Sequence, residues 1–131
     1  MWHKRNRLLN LMEQTKLLVE TITKGIQEKK GKNITIVDLR DIEANIVNYF
    51  IICQGNSPTQ VEAITESVDD IVKQNIGESP VNVVGLGNDQ WVALDYVDVF
   101  VHIFQPEFRA FYDLESLWQD AKLTKIPNLN E

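Results

Sequence analysis

The chain passes from a strand to a helix within the stretch YFIICQGNSPTQ, residues 49–60. Tyr49–Cys53 is apolar on both faces, which is typical of a central strand that is covered on both sides. Ser57 then occupies a helix N-cap position, Pro58 the first helical position, and Gln60 the position that completes a capping box. This stretch therefore predicts a buried strand that is followed directly by a capped helix.

On either side of this stretch, the hydrophobic pattern predicts six further elements. Apolar residues at helical spacing from Leu8 to Ile26 predict a first helix that ends at Gly31. Runs rich in β-branched residues predict strands, and another helical stripe begins at Pro106. The order αββαβββα predicts a single α/β domain with a mixed β-sheet flanked by helices. The expected strands cover residues 34–39, 49–53, 81–84, 91–95 and 99–104.

The last helix and the residues after it set the C-terminal boundary of the domain. Phe111 and Trp118 lie on the apolar stripe of that helix, so we expect both in the core. After Ala121 the chain is polar, and residues 122–131 are expected to form a polar C-terminal tail. Residues 12–121 are then the folded domain.

The N-terminal residues 1–11 differ from the rest in charge. They carry Lys4, Arg5 and Arg7 and no acid. Two interpretations stay open: a native basic extension, or residues added by an over-extended start upstream of Met12. They are too few for a signal peptide.

The charge balance excludes one class of function. The 131 residues include 13 Lys and Arg against 19 Asp and Glu, a formal charge of −6. Between Asp41 and Glu107, Lys73 faces eleven acids as the only base. Such a chain repels a phosphate backbone, so we expect no direct contact with nucleic acid. A basic protein is the partner that this surface would attract, whereas composition alone favours a solvated acidic surface that keeps the protein soluble.

Composition narrows the class of protein further. Hydrophobic residues make up 44% of the chain, which excludes intrinsic disorder. No apolar run approaches the roughly 18 residues of a membrane span, so we expect no membrane association. Cys53 is the single cysteine, cannot form an internal disulfide, and fits a reducing cytoplasm.

The loop Gly55-Asn56-Ser57 suggests an enzyme, but the acids that it would need are not suitably spaced. In nucleotidyltransferases such a loop binds phosphate and a later strand carries two metal-binding carboxylates. Two acids on one strand face must be two residues apart, whereas Asp95 and Asp98 are three apart. We therefore expect Ser57 to cap a helix and the chain not to be an enzyme. A nucleotide-binding or nucleotidyl-transferring protein is kept as the alternative.

Metal and nucleophile patterns are also missing from the sequence. His102 and Cys53 have no spacing that matches a known set of metal ligands, so we expect no metal and no cofactor. Cys53 lies in an apolar strand, which indicates an inert buried thiol. His102 alternates with Phe100 and Phe104 along its strand, so a satisfied, half-buried histidine is the favoured interpretation.

Aromatic residues beside acids are what remains as a candidate site. Trp91 and Tyr96 lie near a strand end and a turn, close in sequence to Asp95 and Asp98. Tryptophan and tyrosine within a polar rim are typical of a protein-protein hot spot. Burial in the core is an equal alternative for these two aromatic residues.

The C-terminal half contains three motifs in succession: WVALDY over 91–96, DVFVHIF over 98–104, and RAFYDLESLW over 109–118. Asp38, YFII over 49–52 and the Gly55-Asn56-Ser57 loop add an N-terminal pattern. With these residues, the chain resembles the ribosomal silencing factor, or Iojap-like, family over about residues 12–121.

The resemblance implies a nucleotidyltransferase-like fold that has lost its catalytic carboxylates. It implies binding to the large ribosomal subunit through its conserved protein number fourteen, on the face that meets the small subunit. Such an occupant blocks subunit joining and represses translation in starvation or stationary phase. A tendency to self-associate is also implied, so a homodimer stays an open alternative. By match of motif, the protein-binding residues are Trp91, Asp95, Tyr96, Asp98, His102 and Arg109.

One departure from the family pattern has a structural consequence. The family's Asp-Tyr-Gly-Asp turn is Asp95-Tyr96-Val97-Asp98 in this chain. Loss of the glycine removes easy access to positive φ. We therefore expect a turn of different shape, or one that carries strain.

Overall fold

The computed structural model describes residues 10–42 and 47–129. The capped helix predicted at Ser57 begins there: the Ser57 hydroxyl accepts from the backbone N–H of Gln60 at 3.1 Å. The Gln60 side chain accepts from the N–H of Asn56 at 2.7 Å, one residue before the Ser57 N–H that the expected capping box would use. The helices are α1 (Leu11–Glu28), α2 (Pro58–Ile76) and α3 (Pro106–Tyr112), with a 3₁₀ helix over Leu114–Trp118. The strands are β1 (Lys32–Asp38), β2 (Tyr49–Gln54), β3 (Asn82–Val84), β4 (Trp91–Asp95), β5 (Val99–Phe104) and β6 (Lys122–Lys125).

The six strands form one mixed sheet in the order β3-β4-β5-β2-β1-β6. β2 and β5 pair in parallel, and every other neighbouring pair is antiparallel. β2 lies inside the sheet between β5 and β1, which agrees with its apolar residues on both faces. The predicted order αββαβββα is confirmed, with β6 added after it.

The two faces of the sheet are covered by different elements. α1 and α2 pack together on one face, where their apolar stripes meet inward residues of β1, β2, β4 and β5. α3 and the 3₁₀ helix contact the other face around a smaller cluster that includes Ile52 and Phe104. Because the second cover is short, part of that face stays accessible to solvent.

The last predicted helix is interrupted. Asp113 has φ 48°, so α3 ends before it and the 3₁₀ helix follows in a new direction. Phe111 is consequently 78% exposed, and the prediction of a core position for it is wrong. Trp118 is half-buried against the smaller cluster, 5.8 Å from the ring of Phe50.

The prediction that residues 122–131 form only a polar tail is wrong, because part of this segment forms strand β6. Lys122–Lys125 pair antiparallel with β1, from Asp38 opposite Lys122 to Thr35 opposite Lys125. All four residues of β6 are exposed, so this strand is held by its pairing with β1 and lacks the apolar pattern that predicts a strand.

At the N-terminus, the Asn10 side chain accepts from the N–H of Glu13 and caps α1. Most of the predicted basic extension, residues 1–9, lies outside the described residues, as do residues 43–46 of the polar connection. Within the described ranges, no helix is both long and apolar enough to cross a membrane.

Candidate protein-interaction surface

One part of the sheet face that carries α3 is left uncovered. Side chains alternate along a strand, so residues 91, 93 and 95 of β4 point to the same face. The pairing registers bring residues of β3 and β5 beside them. All are half-buried or exposed. We call this surface the open sheet face; it consists of Val84, Trp91, Ala93, Asp95 and Phe100.

Aromatic residues of α3 border the open sheet face. Tyr112 is 47% exposed, and its ring lies 4.8 Å from the ring of Trp91. Trp91 also stacks on Phe104, with 4.9 Å between the ring centroids. With the exposed Phe111 next to Tyr112, these rings form an apolar border of the kind that is enriched at protein interfaces.

Trp91 and His102 are joined across β4 and β5. The indole N–H of Trp91 donates to Nδ1 of His102 at 3.0 Å, so the neutral imidazole carries its proton on Nε2. Burial lowers the pKa of His102 to about 4. Nε2 has no hydrogen-bond partner among the described residues. The histidine therefore acts as a neutral acceptor that orients the tryptophan. The prediction of a satisfied, half-buried histidine is wrong, because His102 is buried and its Nε2 lacks a partner among the described residues.

The turn between β4 and β5 adopts the strained alternative. Val97 has φ 78°, in the left-handed region that β-branched residues avoid. The Asp95 carboxylate accepts from the N–H of Val97 at 2.7 Å, which holds the turn from the side chain. Asp98 accepts from the Thr15 hydroxyl at 2.7 Å and so ties the turn to α1.

Tyr96 lies on the opposite face from Trp91. Only 3% of its surface is exposed, and it packs in the larger core under α1 and α2. Burial raises the pKa of its hydroxyl. Of the two alternatives for Tyr96, the structure selects the core. A side chain buried to this extent has no surface to offer to a partner, and the same holds for His102, which is 6% exposed.

Arg109 is occupied by contacts within the chain. One terminal nitrogen of its guanidinium donates to the backbone oxygen of Asn33 at 2.6 Å and to Oε1 of Gln54 at 3.3 Å. The other donates to the Thr35 hydroxyl at 3.1 Å and to the Glu115 carboxylate at 2.7 Å. Arg109 therefore fastens α3 and the 3₁₀ helix to β1 and β2, beside a cleft of about 430 Å³. This position departs from the expectation that it faces a partner.

The six residues matched to the family motif do not form one cluster. Trp91 and Asp95 share the open sheet face, but they stand at opposite ends of β4. The matched set leaves out Phe100 and also Tyr112, although Tyr112 is one of the aromatic residues beside acids in the sequence. The alternation along β5 could have identified Phe100, which shares a strand face with His102.

The Gly55-Asn56-Ser57 loop, which suggested nucleotide binding, uses its polar groups to cap α2. Its Ser57 hydroxyl and the N–H of Asn56 take part in the helix cap. The Gln60 amide also donates to the backbone oxygens of Lys29 and Lys30, both at 3.1 Å. The predicted capping role of Ser57 is confirmed, and it leaves the loop fewer donors for a phosphate.

The described residues show neither a cluster of metal ligands nor an accessible thiol. Among residues 10–42 and 47–129, no group of three or more His, Cys, Asp or Glu side chains is arranged to hold a metal ion. Burial raises the pKa of the Cys53 thiol to about 12, because the thiol is fully enclosed in β2. The predicted burial of the cysteine is confirmed, and its raised pKa disfavours the reactive thiolate.

Comparison with known proteins gives a consistent result. A family model described as ribosomal silencing factor during starvation matches residues 12–131. The ribosomal silencing factor RsfS of Bacillus subtilis is 33% identical over 111 residues, which are 85% of this chain and 92% of that protein. The chloroplastic protein Iojap of Zea mays is 33% identical over 110 residues, 82% of this chain and 46% of that protein. A crystal structure of a Chromobacterium violaceum protein matches with a TM-score of 0.74 at 29% identity, covering 84% of this chain and 87% of that one.

Proposed function

Because the chain belongs to the ribosomal silencing factor family, we propose that it binds the large ribosomal subunit and sterically blocks joining of the small subunit. The contact is with the large subunit's conserved protein number fourteen. Translation is thereby repressed in the cytoplasm during starvation or stationary phase. The fold is of the nucleotidyltransferase-like type without catalysis, and the protein acts as a regulator.

The open sheet face is the observation that carries this proposal. It combines the half-buried rings of Trp91 and Phe100 with the Asp95 carboxylate, and Tyr112 borders it. Large aromatic side chains held in fixed positions lose little entropy on binding, and they dominate interface energetics. The open sheet face therefore suits a protein partner.

Charge supports the same kind of partner. Residues 12–131 carry ten bases against nineteen acids. A ribosomal protein embedded in RNA is usually basic, so an acidic domain is attracted to it while the RNA phosphates repel it. Direct contact with RNA is therefore not part of the proposal.

Steric exclusion is sufficient as a mechanism. A folded domain bound where the two subunits meet prevents their closure without any bond being made or broken. The capped Gly55-Asn56-Ser57 loop adds no observation that favours nucleotide chemistry over this mechanism.

Sedimentation of purified subunits tests the proposal. We expect the protein to travel with the large subunit and to reduce 70S formation. Unchanged 70S formation at saturating protein, with none of it on the large subunit, would contradict the proposal. Light scattering across concentration tests separately whether the chain forms a homodimer.

Two variants test the surface itself. Trp91→Ala should weaken binding to the large subunit by about 2 kcal/mol, or about thirtyfold in Kd. Ala93→Lys places a charge on the open sheet face without removing a packed side chain, and should weaken binding at least as much. Leu17→Lys on α1 changes an exposed apolar residue on the other side of the sheet and is the matched control. If Ala93→Lys retains binding and has a native circular dichroism spectrum, the open sheet face is not the binding surface.

A further inference from the structure

A second groove lies on the sheet face opposite the open sheet face, between α2 and the strands β3 and β4. It encloses about 290 Å³. Its floor is apolar: Leu94 is fully buried, Val83 is half-buried, and Leu86 is 53% exposed. We call it the α2 groove, lined by Glu62, Thr65, Glu66, Asp69, Val83, Leu86 and Leu94.

Acidic residues of α2 form the rim of this groove. Glu62, Glu66 and Asp69 are four and three residues apart, so they share one face of the helix. Glu62 also lies against the Asp89 carboxyl, and this contact, with the charge of Glu66, raises the pKa of Glu62. In the described part of the chain, none of these carboxylates forms an ion pair with a lysine or arginine. No lysine or arginine among the described residues therefore neutralises the acids of the rim.

One acid of the rim, Asp69, has a buried oxygen, Oδ1, with no hydrogen-bond partner among the described residues. The hydroxyl of Tyr96 has none either, although the charge of Asp69 acts on it. Buried polar atoms without partners are costly, so a cationic donor entering the groove would gain from meeting Asp69.

From this combination, we propose that the α2 groove binds a basic peptide segment of a partner protein. Lysine and arginine have apolar stems and charged ends, so the stem would contact Leu86 and Leu94 while the charged end meets the acidic rim. The volume of about 290 Å³ is just below the ~300–1,000 Å³ of small-molecule pockets, which suits side chains of a peptide better than a whole small molecule.

This inference is independent of the proposed function. Trp91 and the open sheet face lie on one side of the sheet, and the α2 groove lies on the other. One partner can occupy each surface at the same time. Variants of the groove should therefore leave binding to the large subunit unchanged.

The probe is a fluorescein-labelled nonapeptide of alternating leucine and arginine, titrated with the full chain and followed by fluorescence anisotropy. A peptide of alternating leucine and glutamate is the control ligand. We expect saturable binding of the basic peptide alone, weakened as salt is added. The double variant Glu62→Gln/Glu66→Gln should weaken it at least tenfold, and Leu86→Ser should weaken it severalfold.

A matched charge control is Glu20→Gln/Glu28→Gln, two exposed acids of α1 with the same change in net charge. This variant should bind the basic peptide as tightly as the unaltered chain. Equal weakening by both double variants would show non-specific attraction and overturn the proposal. Loss of large-subunit binding in the groove variants would also overturn it. A change in self-association alone would do the same, because it would show that a second copy of the chain occupies the groove.

Discussion

At the scale of single residues, the Trp91–His102 hydrogen bond makes the position of Trp91 on the open sheet face depend on the protonation state of His102. Nδ1 of His102 must stay unprotonated to accept from the indole, and burial favours that state by lowering the pKa to about 4. In the unfolded chain a histidine titrates near 6.5. The unfolded state therefore binds more protons than the folded state between these two values, and stability is lost as the pH falls through this window.

The first prediction follows from this difference. Lowering the pH from 8 to 5 should remove about 2 kcal/mol of stability through His102 alone. His102→Gln keeps an acceptor for Trp91 but does not titrate, so its free energy of unfolding should depend less on pH. Urea unfolding of both chains at the two pH values measures the difference. An identical pH dependence in both would refute the assignment.

Val97 gives the second prediction at this scale. Its φ of 78° is unfavourable for a β-branched residue by about 1–2 kcal/mol, and its side chain is exposed. Val97→Gly relieves this strain but adds unfolded-state entropy, so we expect a net stabilisation of about 1 kcal/mol. Val97→Ala keeps a Cβ and serves as the control. If alanine stabilises as much as glycine in urea unfolding, backbone strain is not the cause.

At the scale of elements, Arg109 determines how the second layer is attached. α3 has seven residues and the 3₁₀ helix five, and neither contains a fully buried residue. Elements this short depend on tertiary contacts for their stability. The four hydrogen bonds of Arg109 supply such contacts to β1, to β2 and to the 3₁₀ helix.

The third prediction is that Arg109→Ala destabilises the protein by about 2 kcal/mol, because it leaves partly buried acceptors without a donor. Amide hydrogen exchange should show the largest loss of protection in α3, the 3₁₀ helix and β6. Arg40→Ala removes an exposed ion pair with Asp38 and should cost less than about 1 kcal/mol. Equal costs for the two variants would show that Arg109 does not fasten the layer.

At the scale of the whole molecule, the sequence predicts those elements whose formation depends on neighbouring residues. Ser57 and Gln60 specify the start of α2 through neighbouring atoms, and β4 and β5 follow from alternation. β6 could not be predicted in the same way, because its exposed residues are held by a partner strand distant in sequence.

The candidate site shows the same division between local and distant contacts. The identities of Trp91 and Asp95 identify them as surface candidates. Arg109 donates to Asn33, 76 residues away, and no local pattern contains that contact. The burial of Tyr96 likewise depends on α1 and α2, which lie at least 20 residues earlier in the chain.

Because Cys53 is enclosed in the core, chemical modification of its thiol reports how often the molecule unfolds. Its strand lies inside the sheet, so a thiol reagent can reach the sulfur only after the sheet separates. The fourth prediction is that 5,5′-dithiobis(2-nitrobenzoic acid) labels the native chain at a rate set by unfolding, faster in Arg109→Ala and slower in Val97→Gly. Labelling of the native chain as fast as a free thiol would contradict this. Each labelled sulfur then marks one molecule that has unfolded at least once. The labelled fraction therefore measures rare unfolding events under conditions where nearly every molecule is folded.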